Sequence, residues 1–223
     1  MKTANKVLMA EARTALSGKW GLAIGGFVLV EIVSILISFI PLLGLIIPMI
    51  IAGPIVLGMA LFYLAISRGQ QISATQVFDG FNHFGKAVAT YFLSILFIFL
   101  WTLLLIIPGI IAGIRYSQIF FILAEHPTIG AREAINRSKQ MMEGNKWKYF
   151  CLGLRFFGWS ILAICTLGIG FLWLIPYMMV SYAKFYDDVK HTSHAATAAK
   201  VEHTPEAKED KVEEPESVKE EGK

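Results

Sequence analysis

The stretch WGLAIGGFVLVEIVSILISFIPLLGLIIPMIIAGPIVLGMALFYLAIS, residues 20–67, decides the fold class of this chain. Between Lys19 and Arg68 the only charged side chain is Glu31. One helical crossing of a bilayer needs about 20 predominantly apolar residues, so this stretch is long enough for two crossings. A turn at Pro41–Gly44 interrupts it near its middle. The stretch therefore predicts a pair of membrane-spanning helices joined by a short uncharged bend.

The rest of the chain repeats this pattern of apolar stretches joined alternately by uncharged turns and by loops rich in Lys and Arg. The stretch Ile110–Ala124 is shorter than a full hydrocarbon core at about 1.5 Å per residue and is the weakest of the set. The predicted spans are Trp20–Ile40, a segment within Leu42–Ile66, Ala87–Ile107, Ile110–Ala124, Tyr149–Thr166 and Gly168–Tyr186.

The distribution of cations predicts the orientation. With six spans, every Lys and Arg outside the predicted spans lies on the side of the N-terminus, and the three opposite turns carry no charge. If residues 87–114 formed one kinked helix instead, the cations of residues 132–148 would lie opposite those of residues 2–19. The tendency of Lys and Arg to stay on the cytoplasmic side opposes that arrangement. We therefore expect a multi-pass protein of the cell membrane with both termini in the cytoplasm.

Composition and charge divide the chain into two regions. Hydrophobic residues make up 55% of the 223 residues, and the mean hydropathy is +0.58. Residues 190–223 carry nine acidic and six basic side chains, whereas the remainder carries eight acidic and fourteen basic ones. The sequence predicts one membrane domain over residues 1–188 and a disordered cytoplasmic tail over residues 189–223. The basic body indicates contact with anionic lipid head groups and requires no nucleic acid.

Three amphipathic segments precede the three predicted helix pairs, at residues 4–17, Gln76–Phe84 and within Glu125–Lys148. Each ends in a junction with Gly and Lys, at Gly18-Lys19, Gly85-Lys86 and Gly144-Asn145-Lys146. This order predicts three parallel repeats, each an amphipathic helix followed by two spans. The predicted fold is an all-α bundle of six membrane spans in three helical hairpins, with interfacial amphipathic helices.

Two ionisable residues within the apolar stretches are the candidate site. Glu31 lies roughly 18 Å along the first span from Lys19, and Arg115 is predicted at a similar depth on a span that runs the other way. Either charge alone would cost on the order of 3 kcal/mol there, so we expect Glu31 and Arg115 to pair. The pair is interpreted as a structural ion pair; the alternative is a polar pathway or a head-group cavity.

Further cations are predicted to contact lipid head groups at the membrane surface. The sequence contains no pair of catalytic carboxylates, no nucleophile with a base at a telling spacing and no His or Cys spacing typical of metal ligands. We therefore expect no enzymatic activity, no metal and no cofactor; the oligomeric state is left open. The predicted lipid-contacting cations are Lys6, Arg13, Lys19, Lys86, Lys146 and Lys148.

Four segments carry a resemblance to a known family. They are FDGFNHFGKA (78–87), LWTLLLIIPGIIAGIRYSQIFFILAEHP (100–127), SKQMMEGNKWKYFCLGLRFFGW (138–159) and GIGFLWLIPYMMVSYAKFYDD (168–188). In this order and spacing the chain resembles, over roughly residues 5–188, a bacterial integral membrane family catalogued as domain of unknown function 975. The resemblance implies a six-span inner-membrane protein and no established activity, so it implies no catalytic residues. Arg155 departs from the small polar residue expected before Phe156.

Two functional hypotheses follow. The first is a non-enzymatic envelope protein that interacts with anionic lipid or with a membrane-protein partner through its basic amphipathic segments. The second is a small transporter, channel or lipid translocator that uses the polar site around Glu31 and Arg115. Because one ion pair without further intramembrane charges is thin support for transport, the sequence favours the first.

Overall fold

The computed structural model describes residues 3–39 and 43–202 and is helical throughout, with no strand within those residues. The predicted all-α class is confirmed. The turn predicted around Pro41 lies largely outside the described residues. The helices are α1 (Asn5–Leu16), α2 (Trp20–Ser38), α3 (Leu43–Ser67), a 3₁₀ helix (Ala74–His83), α4 (Phe84–Leu104), α5 (Ile106–Tyr116), α6 (Ile119–Glu125), α7 (Ala131–Met141), α8 (Lys146–Cys165) and α9 (Phe171–Glu202).

Within the described residues, five helical stretches are long and apolar enough to cross a membrane, which indicates a multi-pass membrane protein. One of them combines α5 and α6, so the weakest predicted span is part of a longer apolar stretch. The sixth predicted span lies in α9, which carries Lys184, Asp187 and Asp188 and is not one of the five. The five are Trp20–Ser38, Ile47–Ser67, Ala74–Leu104, Ile106–Glu125 and Lys146–Cys165.

Helices α3 and α9 form the centre of the bundle. In the most apolar stretch of α3, 56% of the residues are buried. In the corresponding stretches of α2, α4 and α8 only 17% of the residues are buried, so these helices present most of their surface outward. Helix α3 packs against α2, α4, α6 and α9, and α9 also packs against α1 and α8. Aromatic side chains fill the space between these helices, including the fully buried Phe62, Tyr63, Phe185 and Tyr186.

The starts of α2, α4 and α8 share one geometry. The preceding residues Lys19, His83 and Asn145 have φ of −119°, −120° and −114°. Four, seven and eleven residues later, α2 buries Ala23, Gly26 and Val30, and α4 buries Ala87, Thr90 and Ser94. Helix α8 buries the last two equivalents, Leu152 and Phe156. The three helices therefore bury residues at the same spacing from their starts, although α4 begins at Phe84, before the predicted entry at Gly85-Lys86.

The amphipathic segments pack against the helix bundle with their apolar faces. On α1, Leu8, Ala12 and Leu16 are at most 1% exposed, and the Tyr177 hydroxyl donates to the Met9 carbonyl oxygen at 3.2 Å. The sequence predicts an interfacial amphipathic helix here. The structure covers the apolar face with protein, because α3, α8 and α9 supply a complementary apolar surface.

The 3₁₀ helix lies against the backbone of α3. A Cβ atom added to Gly58 would lie 1.9 Å from the Val77 carbonyl oxygen, and one added to Gly80 would lie 2.0 Å from the Pro54 carbonyl oxygen. Only glycine permits both approaches. By contrast, Cβ atoms at Gly21, Gly25 and Gly113 would have no such neighbour within 4 Å.

Helix α9 extends into the region predicted to be a disordered tail. The domain boundary predicted at residues 188 and 189 falls inside this helix, which continues to Glu202. The first part of the segment for which the sequence predicts disorder is therefore helical. Residues 203–223 lie outside the described residues.

Candidate functional site

The ends of α3 and α6 meet the middle of α9 in a network of charged side chains. Arg68, one residue beyond α3, binds Glu125 at 2.5 Å and Asp187 at 2.6 Å through Nη2. Glu125, the last residue of α6, also accepts from Lys190 Nζ at 2.7 Å and from the Tyr186 hydroxyl at 2.5 Å. Three helices that lie far apart in the sequence are thus joined at one place in the bundle.

The network stabilises the charged form of its arginine. Hydrogen bonding to Asp187 raises the pKa of Arg68, burial opposes that rise, and Glu125 adds to it, so the pKa lies well above its ordinary value. The side chains of Arg68 and Glu125 are 31% and 11% exposed, so water screens the network less than it screens a surface pair. The arrangement is suited to fixing helix ends together.

Lysines at the starts of α2, α4 and α8 connect those helices to segments that follow later in the sequence. Lys19 Nζ donates to the Gln70 carbonyl oxygen at 2.7 Å, just beyond α3. Lys86 Nζ donates to the Pro127 carbonyl oxygen at 2.6 Å, just beyond α6. Lys148 Nζ binds Asp188 of α9 at 2.5 Å. We call these three contacts the lysine clasps; each joins the start of one helix to a later segment, just beyond α3, just beyond α6 or in the middle of α9.

The Lys148 clasp also holds the N-terminal segment. The backbone N–H of Thr3 donates to Asp188 at 3.1 Å, and the Asn5 amide donates to the Lys148 carbonyl oxygen at 2.9 Å. Burial alone would raise the pKa of Asp188, but the hydrogen bonds from Lys148 and Thr3 outweigh it, and the pKa is lowered.

The two predicted intramembrane charges lie in different surroundings. The side chain of Glu31 is exposed on α2. Arg115 is half-buried near the end of α5, where its carbonyl oxygen accepts from the Ser138 hydroxyl of α7 at 2.7 Å. Its Nε is buried without a hydrogen-bond partner. In residues 3–39 and 43–202 the ion pairs do not include Glu31 with Arg115, and their pairing stays a prediction.

The six cations predicted to contact lipid fall into two groups. Lys19, Lys86 and Lys148 form the lysine clasps described above. Lys6 and Arg13 are exposed on α1, and Lys146 is half-buried at the start of α8. Contact with lipid stays a prediction for all six. Sequence reasoning missed the clasps. A Lys beside a predicted span indicates a position at the membrane surface, but the sequence does not show which oxygen atom that Lys binds.

An apolar cleft lies between α1, α2 and the helix pair α8–α9. Its volume is about 320 Å³. Arg13 of α1 lines it, and Arg155 of α8 lies nearby, with Nη1 3.7 Å from the sulfur of Met9. Tyr177, whose hydroxyl donates to the Met9 carbonyl oxygen, lines the same cleft. The other cleft residues used below are Trp20, Trp159, Leu162 and Trp173.

Comparison with known proteins gives one match. The family described as "Protein of unknown function (DUF975)" matches residues 102–193, from the end of α4 into α9. No curated protein and no solved structure matches the chain. The family's description names no activity, so it adds no site residue. The resemblance found in the sequence is confirmed over residues 102–193, which are similar to this family of unknown function.

Proposed function

We propose that this chain is a non-enzymatic, six-span protein of the bacterial cell membrane that interacts with anionic lipid through the basic side of its helical bundle. Both termini lie in the cytoplasm in this proposal. The three lysine clasps are the observation that supports it most, because each joins the start of a proposed entering span to a residue just beyond a proposed returning span. Three hairpins that open to the same side would have this property.

The charge network supports the same arrangement. Arg68 follows α3, Glu125 ends α6, and Asp187 comes directly after the predicted sixth span within α9. Charged groups of this kind are stable at the membrane surface but costly within the hydrocarbon core. If α9 is counted as a crossing, all three hairpins have their charged ends together. The exposed cations Lys6 and Arg132 then face the anionic lipid of the cytoplasmic leaflet.

Lipid selectivity tests the proposal. The protein is purified into nanodiscs made from mixtures of phosphatidylglycerol and phosphatidylcholine, and the retained lipid is quantified. We expect enrichment of phosphatidylglycerol, because each cation near an anionic surface contributes about 1 kcal/mol. The triple variant Lys6→Gln, Arg132→Gln, Lys146→Gln should reduce that enrichment.

The matched control removes three carboxylates from the same amphipathic segments, with Glu11→Gln, Glu133→Gln and Glu143→Gln. It removes three negative charges where the test variant removes three positive charges, so the enrichment of phosphatidylglycerol should stay equal or rise. Equal retention of both lipids by the unmodified protein would contradict the proposal.

A further inference from the structure

We propose that the apolar cleft between α1, α2 and α8–α9 binds one anionic phospholipid taken from the surrounding leaflet. Its phosphate lies between Arg13 and Arg155, and one acyl chain lies along Trp159 and Trp173. The inference rests on the proposed function and deepens it, since it names one site and one class of ligand.

Charge complementarity is the first argument. Neither Arg13 nor Arg155 has a carboxylate partner within the part of the chain that the structure describes. By contrast, Arg68, Arg137 and Lys148 all form ion pairs there. A guanidinium group offers a planar set of donors that fits two phosphate oxygens, and two such groups beside the Tyr177 hydroxyl make a site for a phosphodiester anion.

The shape of the cleft is the second argument. A volume of about 320 Å³ is at the lower end of the range for small-molecule sites. The walls away from the arginines are aromatic and aliphatic, with Trp159, Leu162 and Trp173 between 51% and 59% exposed. A site with cations at one end and an apolar wall along the rest matches the two parts of a phospholipid.

The position of the cleft favours a lipid over a soluble phosphate compound. Trp20 of α2 and Trp159 of α8 line it, and both helices are long and apolar enough to cross the membrane. Arg155 lies about 10 Å along α8 from Lys148 at 1.5 Å per residue, a depth from which a long side chain reaches the head-group region. The occupant therefore reaches the site from within the leaflet.

Native mass spectrometry of protein purified from membranes containing phosphatidylglycerol tests the inference. We expect one phospholipid retained per chain at detergent concentrations that strip the remaining lipid. Titration with phosphatidylglycerol carrying brominated acyl chains should quench tryptophan fluorescence and saturate at one equivalent. Brominated phosphatidylcholine should not compete at the same concentration.

Two variants probe the two ends of the site. Replacing Arg13 and Arg155 by Gln should weaken retention at least about tenfold, since each loses charge-assisted hydrogen bonds to the phosphate. Leu162→Trp keeps both arginines but fills the cleft, and it should lower retention as well. The matched control, Lys6→Gln with Arg132→Gln, removes two cations outside the cleft and should retain the lipid. Thermal unfolding of every variant identifies any that fail to fold.

The outcomes separate the inference from the function on which it rests. If the nanodiscs enrich phosphatidylglycerol but no stoichiometric lipid is retained, the cleft is not a lipid site and the proposed function stands. If the control pair loses the bound lipid as completely as the Arg13 and Arg155 pair, the site lies elsewhere. Retention of inorganic phosphate in competition with the lipid would assign the arginines to a soluble anion and overturn the inference.

Discussion

Glu125 shows at the scale of a single residue how the charged ends of the helices are joined. Its carboxylate accepts hydrogen bonds from Arg68, Tyr186 and Lys190, which belong to two other segments of the chain. Replacing it by Gln leaves two cations without this acceptor, so we expect Glu125→Gln to lower the free energy of unfolding by about 2 kcal/mol. Thermal or SDS-induced unfolding in detergent micelles measures the change.

Glu133→Gln is the matched control for that prediction. Its pair with Arg137 lies on the surface of α7, with side chains 50% and 43% exposed, so its loss should cost less than about 0.5 kcal/mol. Equal effects of the two substitutions would mean that the network at the helix ends contributes no more than a solvated pair.

Asp188 makes stability depend on pH. Burial would raise the pKa of its carboxyl group, but Lys148 and Thr3 lower it below the unfolded value of about 3.9. The stabilisation is therefore present above that unfolded value and is lost as the pH falls through the lower, folded value. We expect Asp188→Asn to be less stable than the unmodified protein at neutral pH, with a difference that shrinks below about pH 4.

Unfolding measured from pH 7 to pH 2.5 checks this. The exposed Asp79 serves as the control, since it forms no ion pair among the described residues and Asp79→Asn should be about as stable as the unmodified protein at neutral pH. A constant difference between Asp188→Asn and the unmodified protein at all pH values would show that the clasp contributes no proton linkage.

Glu31 and Arg115 retain a prediction of their own. If they pair in the bilayer, Glu31→Gln and Arg115→Gln should each lower the folded abundance, and the double variant should be more abundant than the two single effects predict. Their anomaly was visible in the sequence because a charge within an apolar stretch needs no tertiary information to identify. The network around Glu125 was not visible in the sequence. Arg68 lies in a loop and Lys190 in the predicted tail, and only the fold brings them together.

At the scale of elements, the docking of the 3₁₀ helix on α3 depends on glycine. We expect Gly58→Ala and Gly80→Ala each to cost about 3 kcal/mol or more, because the added methyl group would meet a backbone carbonyl oxygen that cannot move independently of its helix. Folded yield and thermal unfolding measure the loss. Gly21→Ala and Gly25→Ala are matched controls on α2 with open space around the added methyl, and they should be neutral or slightly stabilising.

The sequence predicted most helical segments but not what covers their faces. Long apolar runs and the Lys-flanked entries identified α2, α4 and α8 closely, because hydrophobic length alone sets these spans. Periodicity also located the apolar face of α1, yet a helical wheel cannot tell whether lipid or protein covers it. These features depend on contacts between distant segments.

At the scale of the whole molecule, the proposed three hairpins would place the lysine clasps at one end of the bundle and the uncharged turns at the other. The turn between α8 and α9 contains Leu167, which is 94% exposed, and Cys165, which is also exposed. Ser17 is exposed at the end of α1, near the charged end. If all three hairpins enter from the cytoplasm, these two places lie on opposite sides of the membrane.

Labelling with a membrane-impermeant maleimide tests that arrangement. Both native cysteines, Cys151 and Cys165, are first replaced by Ser, and Leu167→Cys or Ser17→Cys is then introduced singly. In intact cells stripped of their wall, we expect labelling of the Leu167→Cys protein alone; the Ser17→Cys protein should react only after permeabilisation. Arg137→Cys on α7 should behave as Ser17→Cys does, because the same three-hairpin arrangement places both on the cytoplasmic side. Reaction of Arg137→Cys from the outside with Ser17→Cys protected would require an odd number of crossings between them, and the three parallel hairpins would then be the wrong topology.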